Sequence, residues 1–344
     1  MTSLSLYLCT KHPMPRLLLI NFVMASLAAA GSVAAATSQP SKPPTSSSKT
    51  GTSSSKSTTS SSSSKTKPSN STKTSSLQSK SSSAPKAPTV ESNGAPRVHA
   101  ASAILIDAKT GQVLHSVNAD QERAVASTQK LMTALIVAES GGLDKLVKVE
   151  ASDTWAEPSK LDIKAGETYR RGDLLRILLI KSMNDVARAL ARDNAGSVEA
   201  FSEKMNARAE ALGMTHSYFV NPNGLPAPKQ HSTARDMAKV AAAAYRNNTI
   251  RSIVCLKDLD WQHPDGRVSS FHNTNRVLSS LKYCNGMKTG YTQAAGFCLV
   301  SSASTSGKDV ISVVLGDAKE YVWNDSERLL VWGLRGEDLA AGGQ

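Results

Sequence analysis

A serine and a lysine three residues apart stand at the start of an apolar stretch. Ser127 and Lys130 precede the run 131–138, which predicts a buried helix ending at Gly141-Gly142. Residues three apart on a helix share one face, so the lysine amine can reach the serine hydroxyl. A lysine whose pKa is lowered by burial can act as the base that a weakly nucleophilic serine requires. The pair indicates nucleophilic serine chemistry; taken alone, it also fits a serine N-cap beside a solvated lysine.

Two later motifs carry groups that could hold a substrate. Ser182 and Asn184 follow an apolar helix predicted at 173–180. At that junction a hydroxyl and an amide can reach one cleft together, or they can simply cap the next helix. The tripeptide Lys288-Thr289-Gly290 precedes Tyr291 in a strand-like region. A cation and a hydroxyl beside a glycine, which allows close backbone approach, suit a carboxylate.

None of the three motifs is specific when taken alone. Further copies of the three patterns stand at several places between residues 37 and 97, at Ser279/Lys282, at Ser116/Asn118 and at 109–111. Only the Ser127 copy of Ser-x-x-Lys is followed by a long apolar helix. The order Ser127, Ser182, Lys288 is the order of the motifs that penicillin-binding proteins and serine β-lactamases share.

The elements predicted around these motifs run from strands through helices to strands. A hairpin is expected at 103–107 and 113–117, and two later strands at 296–302 and 310–315. Further helices are expected at 185–191, at 198–212 before Gly213, from a capping box at Thr233–Asp236 to about Tyr245, and at 326–334. This order favours an α+β domain at 98–344 whose sheet joins both of its ends.

The first 97 residues have the composition of an export leader and a tether. Arg16, the apolar run 17–36 and its small C-terminal residues predict a signal peptide at 1–36, with an uncleaved N-terminal anchor as the alternative. Residues 37–97 are rich in Ser, Thr, Lys and Pro and almost free of large apolar side chains, so we expect a disordered linker. The protein is therefore expected on the periplasmic or wall side of the cytoplasmic membrane.

The positive charge is concentrated in the linker. The whole chain carries +12, yet residues 98–344 are nearly neutral, and the linker holds nine basic residues against Glu91. A nucleic-acid-binding domain normally concentrates positive charge on a folded face, so nucleic acid is not an expected partner. Weak contact of the basic tail with anionic wall polymer or lipid is expected instead.

The histidines and cysteines give no metal-ligand pattern. No His-x-x-x-His pair occurs and no cysteine pair has zinc spacing, so we expect neither a catalytic metal nor another cofactor. Cys298 lies in an apolar run and is expected to be a buried thiol. A Cys255–Cys284 disulfide is a hypothesis that rests only on elimination and export.

The flanks of the motifs resemble those of the low-molecular-mass penicillin-binding proteins of peptidase family S11, the serine-type D-alanyl-D-alanine carboxypeptidases and endopeptidases. The resemblance covers about residues 100–333. It is carried by Ala126–Ala134, Gly213–Thr215, Asn221–Leu225, Ser232–Asp236, Asn273–Asn275 and Asn285–Thr292. It implies a β-lactamase-like α+β fold, an antiparallel sheet with helices on both faces and a cleft at a strand edge.

The resemblance also implies a role for each candidate residue. Ser127 would be the nucleophile and Lys130 its base, and Ser182 would relay a proton to the leaving amine. Asn184 would hold the substrate backbone. Lys288 and Thr289, beside Gly290, would bind the terminal carboxylate. The N–H groups of Ser127 and Tyr291 would form the oxyanion hole.

Three features depart from the family pattern. Asn285 stands where many relatives carry an acid, and Met183 fills the middle of the second motif, where we expect it to shape the pocket. The chain ends at Gln344, which leaves no room for the β-rich domain and membrane helix that many such carboxypeptidases carry. In this respect it resembles the endopeptidase branch.

The expected function is a penicillin-sensitive D-alanyl-D-alanine carboxypeptidase acting on peptidoglycan stem peptides, with β-lactam antibiotics as covalent inhibitors. A D,D-endopeptidase that opens crosslinks is the next alternative. A serine β-lactamase and a non-catalytic wall-binding protein are the remaining ones.

Overall fold

The computed structural model describes residues 94–305 and 307–335. The predicted leader at 1–36, most of the linker at 37–97 and the last nine residues lie outside these ranges. Ala95 and Pro96 are already buried, so packing against the fold extends slightly to the N-terminal side of the predicted domain start at 98.

Five of the strands form one antiparallel sheet in the order β2-β1-β9-β8-β7. The strands are β1 (Ser102–Asp107), β2 (Val113–Val117), β3 (Leu146–Lys148), β4 (Thr168–Arg170), β5 (Asp258–Gln262), β6 (Val268–His272), β7 (Cys284–Thr292), β8 (Gly296–Thr305) and β9 (Lys308–Asp317). Because β1 pairs with β9, the sheet joins the two ends of the domain, as predicted. Strand β7, which carries the third motif, is an edge strand.

Eight helices accompany the sheet in the described ranges. They are α1 (Lys130–Glu139), α2 (Arg171–Lys181), α3 (Asn184–Ala195), α4 (Val198–Ala211), α5 (Ala234–Arg246), α6 (Asn248–Val254), α7 (Val277–Ser280) and α8 (Val322–Arg335). Every helix that the sequence predicts is present. The short α6 and α7 and the hairpins β3–β4 and β5–β6 were not predicted.

Both faces of the sheet are covered by helices. Successive side chains of a strand point to opposite faces, and Ile104 and Leu105 accordingly belong to two different apolar clusters. Leu105 packs with Leu329 and Leu330 of α8, whereas Ile104 packs in the larger cluster with α1, α2 and α5. The predicted α+β fold with helices on both faces is confirmed.

The structure tests both predictions that concern the cysteines. Cys284 and Cys298 are both free thiols, and Cys298 is buried as expected. The hypothesis of a Cys255–Cys284 disulfide is therefore wrong.

Between residues 94 and 335, residue 306 excepted, no helix is both long and apolar enough to cross a bilayer.

Candidate active site

The nucleophile candidate lies on a tight turn rather than inside the predicted helix. Residues Ala126–Gln129 form a 3-10 turn, and α1 begins only at Lys130. Ala126 has a φ of 47°, in the left-handed region that costs a residue with a Cβ about 1–2 kcal/mol. Such strain persists only where the surroundings hold it, and it clusters at functional sites. The turn places Ser127 three residues before Lys130, the first residue of helix α1.

Two glycines allow other segments to approach this turn closely. A Cβ on Gly224 would lie 2.1 Å from the carbonyl oxygen of Ala126, and one on Gly290 would lie 2.8 Å from the backbone nitrogen of Ser127. The loop around Gly224 and the edge strand β7 therefore enclose the turn from two sides. Gly290 is therefore needed for the close approach of β7 to this turn, whereas the sequence predicted a close approach of the substrate at this glycine.

The Lys130 amine is hydrogen-bonded to three oxygens. It lies 2.7 Å from Ser127 Oγ, 2.6 Å from Asn184 Oδ1 and 2.7 Å from the Asn223 carbonyl. As an ammonium it donates to all three. As a neutral amine it keeps two N–H groups for the two carbonyl-type oxygens, so its lone pair faces the serine hydroxyl. This geometry suits proton removal from Ser127.

Burial and a second cation favour the neutral form of Lys130. Its side chain is fully buried, and this burial, assisted by the nearby Lys288 ammonium, holds its pKa well below the ordinary lysine value. The Asp185 carboxylate acts in the opposite direction. Lys288 is also fully buried, and burial lowers its pKa to about 7. Lys288 can therefore change protonation state near neutral pH, and the neutral form of Lys130 is favoured over that of an ordinary lysine.

Asn184 is held in one amide orientation. Its Nδ2 donates to the Pro158 carbonyl at 2.6 Å, and its backbone N–H donates to the Ser159 carbonyl at 2.8 Å. The amide oxygen is therefore the atom that faces Lys130. One Nδ2–H remains available for the substrate contact that the sequence predicts.

Ser182 ends helix α2 in a left-handed conformation, with a φ of 71°. Its backbone N–H donates to the Leu178 carbonyl, whereas its hydroxyl is hydrogen-bonded to neither Ser127 nor Lys130. Met183 is buried in the core next to it. The structure thus places Ser182 beside Asn184 without closing a direct contact to the nucleophile.

The third motif lies within strand β7, in agreement with the strand-like pattern of the sequence. Lys288 is buried and donates to the Thr289 carbonyl, and the Thr289 hydroxyl donates to Thr274 Oγ1 at 2.8 Å. Tyr291 is 56% exposed and packs on Phe297 with ring centroids 4.4 Å apart. Lys288 and Gly290 therefore face the turn that holds Ser127, and Tyr291 lies on the open side.

Asn223 was not predicted as a site residue. Its carbonyl accepts hydrogen bonds from both Ser127 Oγ, at 3.3 Å, and Lys130 Nζ. Asn221 shapes this loop because its Oδ1 accepts the N–H groups of Asn223 and Gly224. The turn signal Asn221-Pro-Asn-Gly224 was visible in the sequence, but a role carried by a backbone carbonyl leaves no side-chain signature.

A buried lysine on a serine hydroxyl, next to the edge strand of an antiparallel sheet, is the arrangement of an active-site serine hydrolase of the penicillin-binding class. The family model described as D-alanyl-D-alanine carboxypeptidase, peptidase S11, matches residues 89–319, which is more than half of the chain. The protein belongs to this family, and the predicted resemblance is confirmed.

Some proteins similar to this chain are named carboxypeptidases, and others are named endopeptidases. D-alanyl-D-alanine carboxypeptidase DacC of Escherichia coli is 37% identical over 254 residues, which are 70% of this chain and 62% of the relative. A D-alanyl-D-alanine endopeptidase of Pseudomonas aeruginosa is 35% identical over 237 residues, 67% of this chain and 76% of the relative. This chain covers 62% of DacC and 57% of the Bacillus subtilis carboxypeptidase DacF, less than two thirds of either.

A solved structure supports the same assignment of fold. The D-alanyl-D-alanine carboxypeptidase of Mycobacterium tuberculosis H37Rv superposes with a TM-score of 0.67 at 30% identity. The match covers 73% of this chain and 94% of that one. The fold of the described residues is therefore that of the penicillin-binding D,D-peptidases.

Proposed function

We propose that the protein is a serine-type D-alanyl-D-alanine carboxypeptidase that acts on peptidoglycan stem peptides through an acyl-enzyme at Ser127. The observation that carries this proposal is the buried Lys130 amine, 2.7 Å from Ser127 Oγ and held by two further oxygens. Membership in the D-alanyl-D-alanine carboxypeptidase family supports the choice of substrate class.

The proposed reaction begins with neutral Lys130, which takes the hydroxyl proton as Ser127 Oγ attacks the carbonyl of a D-Ala bond. The N–H groups of Ser127 and Tyr291 stabilise the negative charge that develops on the carbonyl oxygen. Ser182 passes this proton from Lys130 to the leaving amine as the C–N bond breaks, so the terminal D-Ala departs and Ser127 remains acylated. Water then hydrolyses the ester at Ser127 and regenerates the enzyme.

The substrate is held from two sides in this proposal. Lys288 and Thr289, made accessible by Gly290, bind the terminal carboxylate, and the free Nδ2–H of Asn184 binds the substrate backbone. A β-lactam offers a carbonyl and a carboxylate to the same groups. Its opened ring stays attached to Ser127, so β-lactams act as covalent inhibitors.

Intact-mass spectrometry with benzylpenicillin tests the nucleophile. The expected result is a stoichiometric and lasting gain of one penicillin mass, absent in Ser127→Ala. Ser279→Ala is the matched control, because Ser279 is exposed and belongs to another Ser-x-x-Lys copy. An unmodified protein with intact penicillin would favour a wall-binding protein, and an unmodified protein with destroyed penicillin would favour a β-lactamase.

A D,D-endopeptidase that opens crosslinks is the second candidate. The Pseudomonas relative named an endopeptidase supports it, since the match covers 76% of that protein. Release of free D-Ala from a pentapeptide, with crosslinked dimers left intact, would decide for the carboxypeptidase. Cleavage of the dimers with no release of D-Ala would decide for the endopeptidase.

The site of action in this proposal is the periplasm or the wall side of the cytoplasmic membrane. It is supported by the leader-like sequence at 1–36 and the basic composition of 37–97, which suits weak contact with anionic wall polymer or lipid. Fractionation of cells that express the full chain tests it, and recovery in the cytosol would contradict it.

A further inference from the structure

Asp185 is a buried carboxylate that has no role in the reaction described above. It is fully buried in the first turn of α3, directly after Asn184. Its Oδ1 accepts the N–H groups of Leu161 at 3.0 Å and of Val186 at 2.9 Å, and its Oδ2 accepts the N–H of Ile163 at 3.4 Å. Two of these three donors belong to a segment outside the helix.

That segment, residues 157–163, supplies the two carbonyls that hold Asn184. Pro158 accepts from Asn184 Nδ2 and Ser159 accepts from the Asn184 N–H. Ser159 and Asp162 have φ values of 61° and 60°, which are unfavourable for residues with a Cβ. The segment therefore needs external contacts to keep this conformation, and Asp185 provides two of them.

We propose that Asp185 is a positioning residue for the Ser127–Lys130 pair. It acts by fastening segment 157–163 to α3 through its hydrogen bonds. The proposal rests on the proposed function, because the step it supports is acylation of Ser127. With the segment fastened, the Pro158 carbonyl keeps the Asn184 amide oxygen towards Lys130. A released amide could rotate and present its NH2 group to the amine, where two donors would meet.

Asp185 also acts on Lys130 through its charge. Of the groups that influence the pKa of Lys130, Lys288 on β7 lowers it and Asp185 on α3 raises it. Lys160 and Tyr169 are the other titratable groups that the charge of Asp185 influences, and burial raises the pKa of Asp185 itself. Removal of the charge should lower the pKa of Lys130, so acylation should begin at a lower pH.

Two variants of the full chain separate the fastening from the charge. Asp185→Asn keeps an oxygen for Leu161 and Val186 but loses the charge, and Asp185→Ala loses both. Asp173→Ala is the control, because Asp173 is an exposed acid in the first turn of α2. The measurements are the rate of benzylpenicillin adduct formation as a function of pH and hydrogen exchange in segment 157–163.

Asp185→Asn should acylate within about threefold of wild type at high pH, with the acidic limb of its pH profile moved to lower pH. Asp185→Ala should show faster exchange in 157–163 and a plateau rate lower by about 10- to 100-fold, the cost of a small misplacement of reacting groups. Asp173→Ala should match wild type in both measurements.

Wild-type acylation by Asp185→Ala would overturn the proposal. An acidic limb that stays in place in Asp185→Asn, with both variants slower in proportion to their lost stability, would also overturn it. If Asp185→Ala does not fold, the limb of Asp185→Asn decides. If wild type forms no adduct at Ser127, the proposed function fails, and hydrogen exchange in 157–163 still tests the fastening.

Discussion

At the scale of single residues, the site depends on two buried amines with different tasks. Lys130 has a serine hydroxyl and two carbonyl-type oxygens around its amine, which suits a base. Lys288 lies on the edge strand, and burial lowers its pKa to about 7. Its cationic form also helps to keep Lys130 neutral. In the proposed reaction, the Lys288 cation would therefore both bind the substrate carboxylate and favour the neutral base.

The titration of Lys288 predicts an alkaline limb in the pH profile. Below about pH 7 Lys288 is a cation that can hold a substrate carboxylate, and above about pH 7 it becomes neutral. The value of kcat/KM for a peptide ending in D-Ala-D-Ala should therefore decline above about pH 7. The same peptide with a C-terminal carboxamide is the control and should show no such decline. Parallel profiles for the two peptides would contradict this role of Lys288.

At the scale of elements, the sequence predicts the main helices and sheet strands better than the short hairpins between them. Apolar runs and glycine stops locate α1, α2 and the sheet strands, because burial of a continuous apolar face decides their type. The hairpin β5–β6 was missed, although Pro264-Asp265-Gly266 is a turn signal between its strands. Lys109 lies in a hairpin turn, as predicted for a copy of the third motif without function.

Several side chains of the candidate site could be selected from the sequence. Ser127, Lys130, Asn184 and Lys288 could be selected by residue type and order, and the structure gathers them around one amine or beside it. The turn at Ala126 could not be predicted, because alanine has no preference for a positive φ. That conformation is imposed by neighbours that are remote in sequence, such as the loop of Gly224.

The contact between that loop and the nucleophile turn predicts an unequal effect of two glycine substitutions. In Gly224→Ala the new Cβ would meet the Ala126 carbonyl at 2.1 Å, and the φ of 81° adds strain. Gly213→Ala is the control, with a φ of 70° and no atom within 4 Å of the Cβ. We expect about 1–2 kcal/mol of destabilisation in the control and clearly more in Gly224→Ala.

Urea unfolding and the rate of penicillin acylation measure this difference. Gly224→Ala should lose most of its acylation rate, because relief of the clash must displace the turn that carries Ser127. Gly213→Ala should acylate like wild type once its folded fraction is taken into account. Equal losses of stability and of rate in the two variants would show that the loop does not support the turn.

At the scale of the whole molecule, the candidate site lies where the helical part of the fold meets the edge of the sheet. The helices α1, α2 and α5 bury the larger apolar cluster, and the sheet contributes the edge strand β7. Two lysines are buried where these parts meet. Burial of an amine without a carboxylate partner destabilises the folded state and so lowers the free energy of unfolding. The protein should therefore be less stable than its apolar core alone would allow.

Lys288→Met tests this relation between stability and activity. The folded protein holds the pKa of Lys288 at about 7, below its ordinary value in the unfolded chain, so the unfolded state binds more protons between these values. The stability of wild type should therefore rise with pH above about 7, and this contribution should be absent in Lys288→Met. Near pH 7 the variant should be more stable by about 1–4 kcal/mol, with a higher Tm.

The same variant should lose activity on D-Ala-D-Ala peptides, because methionine offers no cation to the substrate carboxylate. Lys282→Met is the matched control: Lys282 is exposed, so its replacement should change neither Tm nor activity appreciably. Thermal unfolding at several pH values and peptide hydrolysis measure both effects. A Lys288→Met variant that is less stable than wild type at every pH would mean that the buried amine stabilises the fold, and that its retention needs no functional explanation.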